Sequence, residues 1–219
     1  MARLGRAQSF NAIIVKAPLP ETPTKLYLRS TQANGIGATY YDLLLTAGSS
    51  ADTAVVDTTV AGTEIQFTKT AGGGLVNFIT APFALAYTLT SADLSAWFKE
   101  SVDLANIGAR ARFFKYSAGV ETELTGGPFD DGVEFTTSDA EYTWTANYGD
   151  TAFAAGDRLL LKLYITNVGV MALGTGTLTF NAADGGTGDS FIQTLEALTF
   201  SAEAATTVPN TLMMMGCGV

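Results

Sequence analysis

Short runs of β-forming residues, each followed by turn residues, constrain this fold more than any other feature of the sequence. Stretches such as Glu141–Ala146 and Arg158–Thr166 are rich in aromatic and aliphatic side chains, and Gly-rich segments such as Asp184-Gly185-Gly186 separate such stretches. Between Glu141 and Thr145 polar and aromatic residues alternate. Alternation with a period of two, bounded by turns, predicts strands, and many strands without intervening helices predict a sandwich or a barrel.

The fold predicted from this pattern is all-β, a jelly-roll-like antiparallel β-sandwich, with an immunoglobulin-like sandwich as the alternative. The only helix that the sequence favours is Ser91–Phe98, where Ser91 can cap and Asp93 lies in the first turn. The predicted strands are Lys25–Arg29, Thr39–Leu45, Glu64–Lys69, Leu75–Thr80, Leu85–Thr90, Phe98–Leu104, Ala109–Tyr116, Glu121–Leu124, Val133–Thr136, Glu141–Ala146, Arg158–Thr166, Thr175–Asn181 and Phe191–Phe200.

Three segments are predicted along the chain: an extended N-terminal arm over residues 1–24, a β-sandwich domain over 25–205 and a C-terminal tail over 206–219. Pro18, Pro20 and Pro23 fix φ and remove backbone donors, so neither a helix nor a central strand can continue through the arm. Such a segment is expected to become ordered only against another surface.

The charge is divided unevenly between residues 1–29, which include the arm, and the rest of the chain. The net charge is −9, yet residues 1–29 hold five basic residues and one acidic residue, a net of +4, which leaves −13 for residues 30–219. A basic arm on an acidic body favours docking onto an acidic protein surface. The acidic body argues against nucleic acid as a partner, because phosphate contacts need dense Lys and Arg.

The sequence offers little of the usual chemistry of enzymes. It has no histidine and a single cysteine, Cys217, which excludes Ser-His-Asp and Cys-His triads and His-based metal sites. We therefore predict no catalytic, cofactor-binding or metal-binding residues and no enzymatic activity. A glycosidase that uses paired carboxylates is the enzymatic alternative. The longest apolar runs fall short of a membrane span, so no membrane partner is predicted.

Four groups of side chains could still form a site. Asp130-Asp131, and Asp184 with Asp189, are acidic pairs in Gly-rich turns, where calcium is the alternative to solvent. Arg110 and Arg112 alternate with alanines and could project from one sheet face towards an acidic partner. Sugar rings could stack on a set of aromatic side chains, Trp97, Trp144 and Tyr148, although aromatics at period two more often form a core.

The C-terminal part of the chain carries a family resemblance. Residues 156–167, GDRLLLKLYITN, are followed by Gly174–Phe180, a Gly-Asp loop and the closing segment Ser190–Thr194. This order resembles the C-terminal half of jelly-roll proteins in tailed-bacteriophage virions, where a "GD-R-L-x-L-x-x-Y" strand precedes a "G-T-x-T-F" strand. The basic segment Met1–Arg6 is also similar to a phage assembly arm.

The resemblance implies a virion structural protein made in the host cytoplasm, most simply a capsid decoration (cement) protein. The alternative that it implies is a tail, fibre or baseplate module that binds host-surface glycan. The implied partners are the major capsid protein or other virion subunits and further copies of this chain in a trimer or dimer. The arm residues expected to contact the shell are Arg3, Arg6, Phe10, Ile13, Ile14, Val15 and Lys16.

Overall fold

The computed structural model describes residues 23–33, 35–58, 64–71, 73–170 and 173–201, and within these ranges it contains strands and turns but no helix. The arm residues named above therefore lie outside the described residues, as do most of the arm and the whole tail. The strands are β1 (Thr24–Gln32), β2 (Tyr40–Leu44), β3 (Asp52–Asp57), β4 (Glu64–Gln66), β5 (Asn77–Thr80), β6 (Tyr87–Glu100), β7 (Ile107–Ser117), β8 (Val120–Glu123), β9 (Phe129–Glu134), β10 (Ala140–Phe153), β11 (Arg158–Asn167), β12 (Thr175–Phe180) and β13 (Phe191–Thr194).

All the strands belong to one large mixed sheet. Its order is β3-β12-β6-β13-β1-β2-β5-β11-β7-β8, with β10 paired to β6, β4 to β11 and β9 to β7. The all-β prediction is confirmed, but an exclusively antiparallel sheet is wrong, because β2 and β5 pair in parallel from Tyr40–Asn77 to Leu43–Thr80. In sequence, β3 and β4 lie between β2 and β5. A connection of that length permits the parallel orientation.

The predicted helix over Ser91–Phe98 is wrong, because these residues form the middle of β6. Ala140 to Asn147 of β10 pair with Phe98 to Ser91 without interruption. Leu94, Ala96 and Phe98 are buried, while the odd-numbered side chains between them face the other side of the sheet. Pairing with β10 and burial of one face outweigh a two-turn helix whose only local support is a capping serine.

The two halves of the sheet fold over one another around a common core. Phe78 of β5 meets Phe180 of β12 with ring centroids 5.2 Å apart, and Phe113 of β7 meets Tyr148 of β10 at 5.4 Å. All four rings are buried to at least 98%. Burial of this apolar area is the main stabilising contribution to the fold.

One half of the sheet contains a strand that is broken into two collinear pieces. Gly176 to Thr179 of β12 pair with Glu100 to Trp97 of β6, and Phe191 to Thr194 of β13 continue along the same edge against Ser95 to Ala92. Ser190 is buried at the break, where its hydroxyl donates to the Thr179 carbonyl (2.8 Å) and accepts from the Trp97 amide (3.1 Å). This serine bridges the ladder across the gap, so residues 181–189 can leave the sheet and return.

Candidate functional site

A shallow groove of about 450 Å³ lies on the outer face of β6, β10 and β13. Successive side chains of a strand alternate between the two faces, so every second residue of each strand reaches the groove. The register aligns Thr143, Ser95 and Phe191 in one row across the strands. The next row holds Thr145, Asp93 and Gln193, and Glu141 closes the groove beyond the first row.

Two carboxylates in the groove are held by hydroxyl groups. The Ser95 hydroxyl donates to Glu141 Oε1 at 2.5 Å, and the Thr145 hydroxyl donates to Asp93 Oδ1 at 2.6 Å. Ser95 is 3% exposed, whereas Asp93 and Glu141 are exposed. Among the described residues neither carboxylate forms an ion pair, so their remaining lone pairs are open to a ligand that donates hydrogen bonds.

The rim beside Phe191 is formed by a lysine that the surrounding loop neutralises. Lys25 Nζ lies 3.8 Å from the centre of the Phe191 ring, 2.8 Å from Asp184 Oδ1 and 3.5 Å from Asp189 Oδ2. Burial lowers the pKa of Lys25, but the hydrogen bonds to Asp184 and Tyr27 outweigh it and leave that pKa raised. The calcium alternative for the Asp184–Asp189 loop is therefore wrong, because an ammonium group already lies between the two carboxylates.

The three aromatic residues considered for sugar stacking differ in how far they are exposed at the surface. Tyr148 is 1% exposed and packs against Phe113, so it cannot reach a ligand on the surface. The half-buried Trp144 borders the groove, but its ring packs on Phe98 at 6.3 Å from the inner side of the sheet. Trp97 is half-buried, and its position in β6 places it on the outer face, opposite Glu141.

Arg110 and Arg112 share one face of β7, as their spacing predicts, but both already pair with carboxylates of this chain. Arg110 Nη1 lies 2.9 Å from Glu64 Oε2, and Arg110 Nε lies 2.6 Å from Asp130 Oδ1. Arg112 contacts Glu64 Oε1 at 2.5 Å and Glu123 Oε1 at 2.6 Å. The prediction of a surface open to an acidic partner is therefore wrong, since the chain itself supplies the carboxylates.

The neighbouring acids Asp130 and Asp131 lie in two different environments. Asp130 pairs with Arg110, whereas Asp131 turns inward at a bulge in β9 and accepts the amides of Ala109 (3.1 Å) and Val133 (3.2 Å) with Oδ1. Burial raises the pKa of Asp131 to about 6, against these two amide hydrogen bonds, which lower it. Asp131 Oδ2 is buried, and no group within the described ranges forms a hydrogen bond with it.

Sequence reasoning missed the groove, since Asp93, Ser95, Glu141 and Gln193 were not among its candidates. The alternation in β10 was visible and would have placed Glu141, Thr143 and Thr145 on one face. The contribution of β6 is not apparent from the sequence, because residues 91–98 have the local pattern of a short helix.

Comparison with known proteins identifies solved structures of the same fold and no family. No family model and no curated protein matches the chain. A CocE/NonD family hydrolase from Staphylococcus aureus matches with a TM-score of 0.52 and 14% identity, over 83% of this chain and 37% of that one. An aminopeptidase from a marine sediment archaeon, Thaumarchaeota archaeon, matches with a TM-score of 0.52 and 9% identity, over 79% of this chain and 36% of that one. The chain thus spans a little over a third of the length of these proteins.

These comparisons contradict the identification as a phage virion protein. The two solved structures described above are, by their printed names, a hydrolase and an aminopeptidase, whereas the likeness to the infectious bursal disease virus structure has a TM-score of only 0.22 and carries no argument. The decoration role, the tail or fibre alternative, the virion localisation and the absence of enzymatic activity were therefore wrong predictions. The sequence GDRLLLKLYITN is explained locally: Gly156, at φ +92°, makes a turn and a buried strand, β11, follows it.

Proposed function

We propose that this chain is the β-sheet module of a hydrolytic protein and that the groove on β6, β10 and β13 binds the substrate. The hydrolases that share its fold support the first part. Two exposed carboxylates support the second, since hydroxyl groups fix them in a groove and no basic side chain of the described residues pairs with them. The finer description of the folded-over sheet as a jelly-roll-like sandwich belongs to the same proposal.

The spacing of the carboxylates favours an extended substrate over a single ion. Glu141 lies opposite Trp97, which is four residues from Asp93 along β6. At about 3.3 Å per residue the two backbone positions are roughly 13 Å apart along the strands. A chain with a donor at each end fits this distance, and the row of Thr143 and Phe191 lies between the two carboxylates to contact its middle.

We further propose that the donors are cationic, as in a peptide that carries an ammonium group and a basic side chain. An aminopeptidase is among the proteins of this fold, and peptides are the substrates that its printed name implies. A carboxylate with no cation of its own binds an ammonium group through a charge-assisted hydrogen bond, which is stronger than a neutral one. Lys25 at the rim is already held by Asp184 and Asp189, and Lys99 of β6 is held by Asp139.

Isothermal titration of the full chain with a lysine-containing tripeptide tests this proposal. The double variant Asp93→Asn/Glu141→Gln should weaken binding by about tenfold or more, because each lost charge-assisted contact contributes about 1.5–3 kcal/mol. The matched control is Asp42→Asn on β2, where the Thr31 hydroxyl holds the carboxylate at 2.6 Å, much as Thr145 holds Asp93. Equal binding by the double variant and the control would contradict the assignment of the groove.

Two further probes separate the parts of the proposal. A neutral oligosaccharide that binds better than the tripeptide would show that sugar hydroxyls, and not cations, are the donors. Mass spectrometry of the tripeptide after incubation with the full chain measures hydrolysis. Cleavage would assign catalysis to this chain, whereas a peptide that binds and stays intact would limit its role to holding the substrate.

A further inference from the structure

The edge of β10 that faces away from β6 is open over part of its length. Among the described residues β10 pairs with β6 alone, although it is 14 residues long. Glu141, Thr143 and Thr145 are exposed in its first half. Further along, the edge is covered, because the Thr125 hydroxyl donates to the Tyr148 carbonyl at 2.9 Å. The open stretch therefore runs from Glu141 to Thr145.

The hydrogen bonds of β6 show which backbone groups of β10 point to this edge. The Glu100 amide donates to the Thr136 carbonyl, just before β10, whereas the Trp97 amide donates to the Ser190 hydroxyl on the β13 side. Backbone groups alternate in direction along a strand, so the even-numbered residues of β6 bond to β10 and face its even-numbered residues. The amides and carbonyls of the odd-numbered residues from Glu141 to Thr145 thus point to the open edge, where the described part of the chain gives them no partner.

Three other strand edges of the sheet are protected against further pairing. Val55 of the edge strand β3 exchanges two 2.8 Å backbone hydrogen bonds with Thr68, which bridges its outer side. β8 is only four residues long, and β9 is interrupted by a register shift. Residues 141–145 contain no proline, lysine or bulge, so three of the usual devices against pairing with a further strand are missing there.

The charge of this edge favours one kind of added strand. β10 contains Glu141 and Asp150 but no lysine or arginine, and Asp93 lies beside it on β6. Lys99 of β6 is already held by Asp139 at 2.8 Å. A second copy of β10 would bring further acids to this edge, whereas a segment with basic side chains would bring opposite charges.

We propose that an extended peptide with two basic side chains adds to this edge as a strand antiparallel to β10. This inference rests on the proposed function, since it takes the peptide of the groove as the ligand and assigns its main-chain contacts. The peptide backbone pairs with the open groups of Glu141, Thr143 and Thr145, a recurring mode of recognition at exposed sheet edges. Antiparallel pairing is the slightly more stable orientation.

The spacing of the two basic side chains follows from the register. Peptide residues opposite Thr145 and Glu141 are four residues apart, about 13 Å, and their side chains lie on the groove side of the sheet. A lysine opposite Glu141 pairs with it directly, and a lysine opposite Thr145 extends its four-carbon stem past this residue to Asp93. The pentapeptide KVTVK, with lysine at the first and fifth positions, fits this arrangement.

N-methylation of single peptide amides tests strand addition without altering the protein. In the proposed orientation the third amide of KVTVK points to β10 and the second points to solvent. In isothermal titration of the full chain, a methyl group on the third amide should weaken binding about tenfold or more, because it removes a hydrogen bond and clashes with β10. The peptide methylated on the second amide has the same composition and is the matched control, which should bind within about twofold of KVTVK.

Hydrogen exchange of the full chain gives a second readout. KVTVK should slow exchange of the Thr143 and Thr145 amides and leave that of Trp144, which already bonds to β6, unchanged. Equal losses of affinity at the two methylated positions, a loss at the second position alone, or no binding of KVTVK would overturn the strand addition.

The double variant Asp93→Asn/Glu141→Gln separates this proposal from the proposed function. If the variant weakens binding of KVTVK while the two methylated peptides bind equally, the groove assignment stands and the strand addition fails. If the two methylated peptides differ as expected but binding does not depend on the carboxylates, the strand addition stands and the groove assignment fails.

Discussion

The outer faces of the two halves of the sheet both carry acids, but the partners of these acids differ. On the face of β7 and β11, Glu64 is shared by Arg110 and Arg112, and Glu121 pairs with Lys162 at 2.5 Å. On the face of β6 and β10, the described residues give Asp93 and Glu141 only hydroxyl partners. A surface whose charges are matched internally needs no further partner, whereas fixed, unmatched carboxylates support the proposal that this face binds a ligand.

The largest expected difference between the two faces is in stability. Glu64→Gln should lower the free energy of unfolding by about 1–2 kcal/mol, because two arginines lose a shared, partly buried carboxylate. Glu141→Gln should change it by no more than about 0.5 kcal/mol. Urea denaturation near neutral pH measures both, and equal losses would remove the distinction between the faces.

The effect of Glu64 also depends on pH in a defined direction. Hydrogen bonds from Arg112 and then Arg110 outweigh burial and hold the pKa of Glu64 below its usual 4.5. A carboxyl group with a lowered pKa contributes stability above its unfolded value and loses it as the pH falls through the folded one. The loss caused by Glu64→Gln should therefore shrink below about pH 4.5.

The next largest change in stability is expected at Asp131, which is buried and unpaired among the described residues, whereas its neighbour Asp130 pairs with Arg110. Asp131→Asn keeps the Oδ1 acceptor of the Ala109 and Val133 amides and removes a charge that pairs with no basic side chain of the described residues. Because burial raises its pKa to about 6, native Asp131 contributes stability below the unfolded value of 3.8 and loses it as the pH rises through about 6.

Asp131→Asn should therefore stabilise the chain by about 1 kcal/mol near pH 8, after allowance for partial solvent screening, and leave stability unchanged near pH 4. Asp130→Asn is the control and should destabilise, since it removes the partner of Arg110. Guanidinium denaturation at the two pH values measures both. A loss of stability in Asp131→Asn near pH 8 would mean that the buried carboxylate has a cation after all.

The smallest change in stability should come from giving the groove a cation of its own. Thr143→Lys places an ammonium group two residues from Glu141 on the exposed face of β10, and an exposed pair contributes about 0.5 kcal/mol or less. Affinity for the lysine-containing tripeptide should nevertheless fall several-fold, because the introduced charge repels the ligand and occupies its carboxylate. Thr88→Lys, at the exposed start of β6, is the matched control.

Local patterns in the sequence predicted individual strands well. The apolar run of β11 and the alternation in β10 gave the right element because each pattern comes from the strand itself. The same reasoning failed at Ala54-Val55-Val56, the centre of β3, which is too short to stand out between two aspartates. It also failed at β6, where small and polar residues support a helix locally until β10 pairs with them.

The candidate site could not be predicted, because it joins residues that only the sheet brings together. Asp93, Glu141 and Gln193 come from three strands that are far apart in sequence, and their alignment depends on register. Charge matching is equally non-local: Lys25 and Asp184 are 159 residues apart, so the sequence showed a bare acidic loop where the fold has an ion pair. Which basic side chain pairs with a given acid therefore depends on the topology of the fold and cannot be predicted from neighbouring residues in the sequence.

The serine at the break between β12 and β13 makes this molecule a promising scaffold for display. Ser190 holds both flanking strands in place, so residues 182–189 form a loop outside the pairing with β6, while Asn181 still hydrogen-bonds to Leu28 and Ser30 of β1. A foreign peptide grafted between Asp184 and Gly188 would emerge next to the groove. Engineers could in this way couple a chosen epitope to whatever the groove binds, without redesigning a single strand.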